Sequence, residues 1–360
     1  MRLCFFIDDI THTGGIERVT SNLVLQFSKD KKGLDIEIVS QFRSSENPWY
    51  PFDCKINFLS DKNFDAKPHS LSRITTMLGN INVVRKYFKK NHYDVIIAQS
   101  FPNVFALFIA GVDMSKVIAA EHVYYGYYNT MLKNLRLFIY KRCKKVAVLT
   151  SADKDCYDRY FRSDHTVLIP NPVVVPEYFE SDLDNKNAIA MGRIQYQKGF
   201  DTLVDVFAMV HKKHPNWKVY IYGDGNFRDD IERHIKECRM ENIVILKGRT
   251  DDVPSAMREA SFFVLSSRFE GFGMVIAEAM SQGLPVVSFD CPTGPSDMVR
   301  SDINGILVKN QDKQALADAI CYMIENTEKR KEMGKNAVNT AKEFAGDIIA
   351  KKWYTVFGIN

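Results

Sequence analysis

The sequence predicts an α/β protein built on two doubly wound parallel sheets, and three observations point there. The chain has 360 residues, more than one hydrophobic core usually serves, since cores stop growing near ~250 to 300 residues. Short β-branched runs alternate with longer helical patterns through both halves, as in a parallel sheet covered by helices. Between the halves, Ile169-Pro170-Asn171-Pro172, then Pro176 and the acidic string SDLDNK, mark a connection.

In the first half the strand runs are LCFFI, DIEIVS, DVIIAQS, KVIAAE, KVAVLT and TVLIP, with a helix from about Gly15 to Phe27 after the first. In the second half they are AIAMGR, WKVYIYG, NIVILKG, FFVLSS, PVVSFD and GILV. The expected division is a first domain over 1–170, a linker over 171–185 and a second domain over 186–340. Residues 311 to 358 are helical by pattern, and Trp353, Tyr354 and Phe357 near the end need a surface to bury against.

Composition excludes several classes. With 46% hydrophobic and 26% charged residues, the chain falls in the ordinary globular range. Its longest apolar runs fall far short of the ~20 residues of a membrane-spanning helix. The N-terminal run meets Asp8 and Asp9 at once, which suits a buried strand better than a secretory signal and predicts a cytoplasmic protein. Seven cysteines are scattered, with no CxxC pair and no Cys/His zinc spacing, so they are expected to be reduced thiols. The net charge of +4 hides an asymmetry: residues 1–170 hold 24 Lys/Arg against 17 Asp/Glu, and the remainder 24 against 27. A basic first half suits an anionic partner, either a membrane face or a phosphate-bearing acceptor. Nucleic acid is not expected, because no helix-turn-helix, RNP-like or zinc-finger pattern accompanies the charge.

In open α/β sheets ligands bind beyond the carboxyl ends of the strands, so chemistry is sought there. The strongest cluster is FFVLSSRFEGFGMVIAEAMSQGLPVVSFD, residues 262–290. A buried strand ends at Ser266 and Ser267, a loop with Glu270, Phe272 and Gly273 follows, and a helix opens near Met274 and stops at Gly283. Free N–H groups and the positive end of the helix dipole make that turn suitable for a diphosphate. Glu270 and Glu278 are placed to aim at one ligand, since Cβ vectors tilt toward the helix N-terminus, and a carboxylate suits vicinal hydroxyls. The second cluster, GRIQYQKGFD (192–201), again links a strand to a helix. There Arg193 can fork onto phosphate oxygens and Lys198 supplies a point charge. A tight turn at Gly223 in YGDG and the KGRT string with Arg249 end two further strands.

In the first half Gly14 and Gly15 follow the first strand, but the pair lacks the GxGxxG dinucleotide fingerprint. Glu121-His122 ends KVIAAE, which places an imidazole where it could meet a sugar hydroxyl or an acceptor. Two segments, RKYFKK (85–90) and LRLFIYKRCKK (135–145), combine basic and aromatic residues in a way that suits a membrane surface.

Taken in order, GRIQYQKGFD, YGDG, the EGFG loop with its E-x7-E spacing, GLPVV and NGILV, with GG-IERV and EH in the first half, resemble the retaining glycosyltransferases of the GT-B fold, family 4. The match is specific over residues 188–308 and looser over the first 170. The resemblance implies two Rossmann-like domains with an interdomain cleft, an N-terminal acceptor domain, a C-terminal nucleotide-sugar domain, and a C-terminal helix (341–360) that returns to the first domain. It implies that Arg193 and Lys198 hold the donor diphosphate, Glu278 the ribose hydroxyls and Glu270 the donor sugar. Backbone N–H groups of Phe272, Gly273 and Met274 would serve phosphate and sugar. Gly14 and Gly15 would let the first loop approach the donor, with His122 near the transferred sugar. No metal or cofactor is then needed. FDCPTGPSDMV (289–299) is similar to bacterial members that build surface polysaccharide or lipopolysaccharide on glycan or lipid-linked acceptors, from hexose or N-acetylhexosamine donors. Asp8-Asp9, residues 41–69 and residues 123–135 depart from the pattern. DLD (182–184) resembles a metal-binding DxD, but its place in the linker makes it a surface charge run. Two other classes stay open: a nucleotide-sugar-binding protein without turnover, against which Glu270 speaks, and a nicotinamide oxidoreductase, against which the missing fingerprint speaks.

Overall fold

The computed structural model describes residues 1–63, 71–162, 164–176 and 183–359. It divides into two compact units, one made of Met1–Pro172 with Gly346–Asn360 and the other of Val173–Ala345.

In unit 1 the order is β1 (Arg2–Ile7), α1 (Gly15–Asp30), β2 (Asp35–Ser40), β3 (Lys55–Phe58), α2 (Leu71–Lys90), β4 (Val95–Gln99), α3 (Phe101–Ala110), β5 (Val117–Ala120), α4 (Thr130–Tyr140), β6 (Lys145–Val148), α5 (Ser151–Asp158) and β7 (Thr166–Leu168). Unit 2 runs β8 (Asn187–Met191), α6 (Phe200–Lys213), β9 (Lys218–Tyr222), α7 (Arg228–Glu237), β10 (Val244–Gly248), α8 (Val253–Arg258), β11 (Phe262–Leu265), α9 (Met274–Ser281), β12 (Val286–Asp290), α10 (Pro295–Met298), β13 (Gly305–Lys309), α11 (Lys313–Glu325) and α12 (Thr327–Lys342). The last helix, α13 (Gly346–Phe357), belongs to unit 1.

The strand order is 3-2-1-4-5-6-7 in the first sheet and 10-9-8-11-12-13 in the second. All ladders are parallel, which is why the central strands are apolar on both faces: β4 is buried at every residue, and β1 at all but its first. Helices cover both sheets with one apolar stripe each. In α6 the buried Phe200, Leu203, Val204, Phe207 and Val210 follow the 3.6-residue period. Side-chain caps fix several helix starts, among them Asn129 on Leu132 N, Thr150 on Asp153 N and Asp312 on Ala315 N.

The three C-terminal aromatics find their surface within unit 1. The Phe27 ring of α1 lies 5.4 Å from Tyr354 and 5.9 Å from Phe357, and Tyr354 donates to Asp30 Oδ2 at 2.7 Å. Trp353 is 4% exposed. The region that is helical by pattern resolves into α11, α12 and α13. One strand was not expected, β3, which pairs with β2 inside the stretch 41–69 that fits no pattern; part of that stretch lies outside the described residues. Of the DLD string, Asp182 lies outside them too. Asp184 meets Lys331 at 2.9 Å, and Leu183 is buried with its carbonyl oxygen accepting from Arg330, so of the two described residues Asp184 fits a surface charge run and Leu183 does not.

Candidate functional site

Each sheet reverses its strand order once, between β1 and β4 in unit 1 and between β8 and β11 in unit 2. Loops leaving adjacent strands in opposite directions open a crevice at such a point. In unit 2 those loops are residues 192–199 after β8 and 266–273 after β11, the two clusters singled out by sequence.

The structure zips these loops together. Lys198 Nζ donates to Glu270 Oε1 at 2.7 Å, and the same oxygen accepts from Ser267 Oγ at 2.6 Å. Gln197 Nε2 donates to the Phe269 carbonyl at 3.0 Å, and Ser266 Oγ to that of Lys198 at 2.9 Å. Arg268 forks onto Asp201 of α6 at 2.9 and 2.6 Å, donates to the Tyr196 carbonyl at 2.7 Å and lies 4.0 Å from the Tyr196 ring centroid. Glu270 is 5% exposed, so its carboxylate is held by a cation and a hydroxyl rather than by water. Cys291, the nearby thiol, is pushed up to about 12 by burial and then by Glu270, and is neutral at physiological pH.

Gly273 caps α9 in the left-handed region at φ 82, and the first N–H groups of a helix have no intrahelical partner. Phe272 does not present its ring: it is buried and packs 5.7 Å from Phe344. Glu278 is half-buried one turn into α9, with Met274 at the first position. Arg193 is exposed and carries no carboxylate partner among the described residues. Arg249 is exposed as well, 3.9 Å from Asp224.

Gly223 is a structural necessity. It sits at φ 138, and a Cβ there would lie 1.9 Å from the carbonyl oxygen of Gly192. Gly192 N in turn donates to Tyr222 O at 3.0 Å, so the YGDG turn is the floor under the Arg193 loop. Gly223→Ala is expected to cost ~1 to 3 kcal/mol, the scale of one strained backbone position, and to displace that loop. Urea unfolding of the variant checks the cost.

In unit 1 His122 follows β5, and its Nε2 lies 2.5 Å from Gln99 Oε1 at the end of β4. Burial pushes its pKa down to about 4, so the imidazole is neutral at physiological pH. With Gln99 accepting from Nε2–H, the Nδ1 lone pair is left to accept from a hydroxyl. The unfolded histidine titrates near ~6.5; between there and about 4 the unfolded chain binds more protons, so this group's contribution to stability is lost as pH falls through that window. Asp153, raised to about 6 by burial, contributes the opposite slope. His122→Gln leaves Asp153 in place, so the variant's unfolding free energy is expected to fall less steeply on acidification than the parent's, as denaturant midpoints across that window will report.

Beneath His122, Glu121 is 2% exposed and accepts from Arg136 Nη1 at 2.8 Å, from Tyr157 at 3.1 Å and from Tyr140. Arg136 is fully buried, with Nη2 on the Tyr125 carbonyl at 2.6 Å and its guanidinium over three tyrosine rings. The two basic aromatic segments are divided between core and surface: Arg136, Ile139, Tyr140 and Cys143 of LRLFIYKRCKK and Phe88 of RKYFKK are core residues, while Lys86, Lys89, Lys90, Lys141 and Arg142 are exposed. Phe138 stays exposed, with Arg142 stacked on it at 3.7 Å. Among the described residues no helix is long and apolar enough to cross a membrane.

The glycine pair after β1 splits in role. Gly14 caps α1, and a Cβ there would meet the Glu17 carboxylate at 2.3 Å, while Gly15 faces open space. The unexpected Asp9 is buried and accepts from Thr11 N at 2.9 Å, Thr11 Oγ1 at 2.6 Å and Ser44 Oγ at 2.5 Å, so it ties down the loop after β1. Sequence reasoning gave no role to Ser267, Arg268, Asp201 or Gln99, although the first three stand inside its two clusters. Only Ser267, three residues before Glu270, carried a local signal.

Two family models match. Residues 13–175 fit Glycosyltransferase Family 4, and residues 176–340 fit Glycosyl transferases group 1. The amylovoran biosynthesis glycosyltransferase of Erwinia amylovora is 27% identical over 365 residues, covering 98% of each chain. The poly(ribitol-phosphate) α-N-acetylglucosaminyltransferase of Staphylococcus aureus is 31% identical over 216 residues, 59% of this chain and 43% of that one. Among solved structures, a Staphylococcus aureus TarM variant in complex with Fondaparinux, α-GlcNAc-glycerol and UDP superposes with a TM-score of 0.79 at 18% identity, over 99% of this chain and 100% of that chain.

Proposed function

The chain belongs to the GT-B glycosyltransferases of family 4, and from that membership we propose a metal-independent transfer that retains anomeric configuration. A hexose or N-acetylhexosamine passes from a nucleotide sugar, in our reading a UDP-sugar, to a glycan or lipid-linked glycan acceptor during bacterial surface polysaccharide or lipopolysaccharide synthesis. One observation carries the reading: at the unit 2 switch point Lys198 and Glu270 meet at 2.7 Å beside the capped start of α9, which sets a cation, a carboxylate and free backbone donors in one place.

The donor diphosphate takes the N–H groups at Phe272 to Met274, with Arg193 and Lys198 neutralising the charge that builds on the leaving oxygens. Lys198 has three donor positions, of which Glu270 occupies one, so it can hold Glu270 and a phosphate oxygen together. Glu270 accepts from a donor-sugar hydroxyl, and Glu278 from the ribose hydroxyls. The acceptor hydroxyl attacks on the face the diphosphate leaves, whose oxygen takes the proton, so no protein nucleophile is used. His122 accepts from a sugar hydroxyl through Nδ1. Gly15 leaves the first loop open, and the basic charge of residues 1–170 suits an acceptor that carries phosphate. The exposed lysines and arginines of RKYFKK and LRLFIYKRCKK add peripheral contact with an anionic membrane.

A thermal-shift screen against nucleotide sugars tests the donor, because a ligand that binds only the native state raises the melting point. A UDP-sugar is expected to stabilise the parent protein and to lose that effect in Glu278→Ala. No shift with any nucleotide sugar, or an equal shift in the variant, rejects the assignment. Transfer is expected to continue in the presence of EDTA, and NMR of the product anomer decides retention.

A further inference from the structure

Away from the strand-end loops, the helical face of unit 2 brings together three unlike ligand types. Asp205 on α6, His234 on α7 and Cys238 just after α7 place a carboxylate oxygen, an imidazole nitrogen and a sulfur within 4.8 Å of one another. His234 Nε2 lies 2.7 Å from Asp205 Oδ1, a hydrogen bond, and 3.9 Å from Cys238 Sγ; tetrahedral bonds of ~2.0 to 2.3 Å need the first pair to open to about 3.3 Å, a small side-chain movement. His234 and Cys238 are four residues apart and share one face of the helix. All three are partly exposed, so an ion can enter from solvent.

We propose that Asp205, His234 and Cys238 bind a divalent transition-metal ion of zinc type, which staples α6 to α7. The donor set argues for that class. Thiolate and imidazole select zinc-like ions, whereas magnesium and calcium take oxygen ligands. The surroundings fit as well. Glu237 Oε2 stands 3.7 Å from His234 Nδ1, where a carboxylate commonly orients a metal-binding imidazole. Lys313 Nζ holds the other oxygen of Asp205 at 2.6 Å, which leaves Oδ1 for the ion. Binding is balanced by loss of the Cys238 thiol proton to solvent and by a shift of the imidazole proton from Nε2 to Nδ1, beside Glu237. One thiolate and one carboxylate then neutralise the ion, and water completes the coordination. The sequence hid this set because Asp205 lies 29 residues before His234 and a His-x3-Cys pair has no recognised zinc spacing by itself.

The full chain, stripped with chelator, is expected to gain roughly 5 °C in melting temperature on adding zinc at a hundredfold excess over its dissociation constant, and nothing with magnesium. Cobalt(II) should give a thiolate-to-metal charge-transfer band. His234→Ala and Cys238→Ser should each abolish the zinc shift, and Cys238→Ser the band. The proposal is overturned by a parent protein whose melting temperature ignores zinc, by a shift that persists in both variants, or by a band that survives Cys238→Ser. Sugar transfer should proceed at its usual rate in the stripped protein, so this result stands or falls apart from the donor assignment.

Discussion

Lys198→Ala is expected to slow sugar transfer by ~10²- to 10³-fold with the fold intact, the range typical of removing one preorganised charge-stabilising donor. The lysine is held in place from both sides. Its side chain is 18% exposed and ends 2.7 Å from Glu270, while the residue after it, Gly199, adopts φ 62 with its α-carbon so close to Ser266 that a Cβ would lie 2.2 Å from that carbonyl oxygen. A second cause could produce the same loss, because removing the lysine also strips a buried carboxylate of its cation. A double-mutant cycle with Glu270→Gln separates the two. If Lys198 acts on the donor phosphate, Lys198→Ala remains harmful in the Glu270→Gln background. If it only holds Glu270, the double variant is no worse than Glu270→Gln alone. Steady-state kcat and KM for the donor, with circular dichroism to check the fold, decide between them; full activity in Lys198→Ala would remove the lysine from the site.

What the sequence made legible was local. Each motif of unit 2 is a strand end, a glycine turn and a helix start within about a dozen residues, so GRIQYQKGFD and SSRFEGFGM announce their own structure, and the parallel sheet then brings the two together. What stayed hidden depends on long-range contact. Arg268 looks like a loop residue until α6 places Asp201, 67 residues earlier, under its fork. Gln99 closes an apolar strand run, and its meaning appears only when β5 pairs with β4 and puts His122 beside it. β3 reads poorly because it is a sheet-edge strand with no fully buried residue, so period-2 alternation is faint. Within LRLFIYKRCKK the burial of Arg136 was hidden for a physical reason: a buried arginine is rare unless paired, and its partner Glu121 lies 15 residues upstream.

That pair gives the largest stability effect to be expected in unit 1. Arg136→Met should cost about 3 to 5 kcal/mol, the scale for removing one partner of a buried ion pair, because Glu121 is left charged and dry. At ~2 to 4 °C per kcal/mol for a unit of this size, the melting temperature falls by roughly 6 to 20 °C. Glu121 keeps its two tyrosine hydroxyls, which moderates the loss without neutralising the charge. The Tyr125 carbonyl, now held by Arg136 Nη2, is released as well, so the 123–128 segment after His122 should loosen. Adding Glu121→Gln removes the stranded charge, and the double variant should recover most of the stability, since replacing both members of a buried pair with uncharged groups is often neutral. Calorimetry of the two variants distinguishes this account from a packing defect: if Arg136→Met with Glu121→Gln melts as low as Arg136→Met alone, lost volume under the three tyrosine rings, and not a stranded carboxylate, sets the cost.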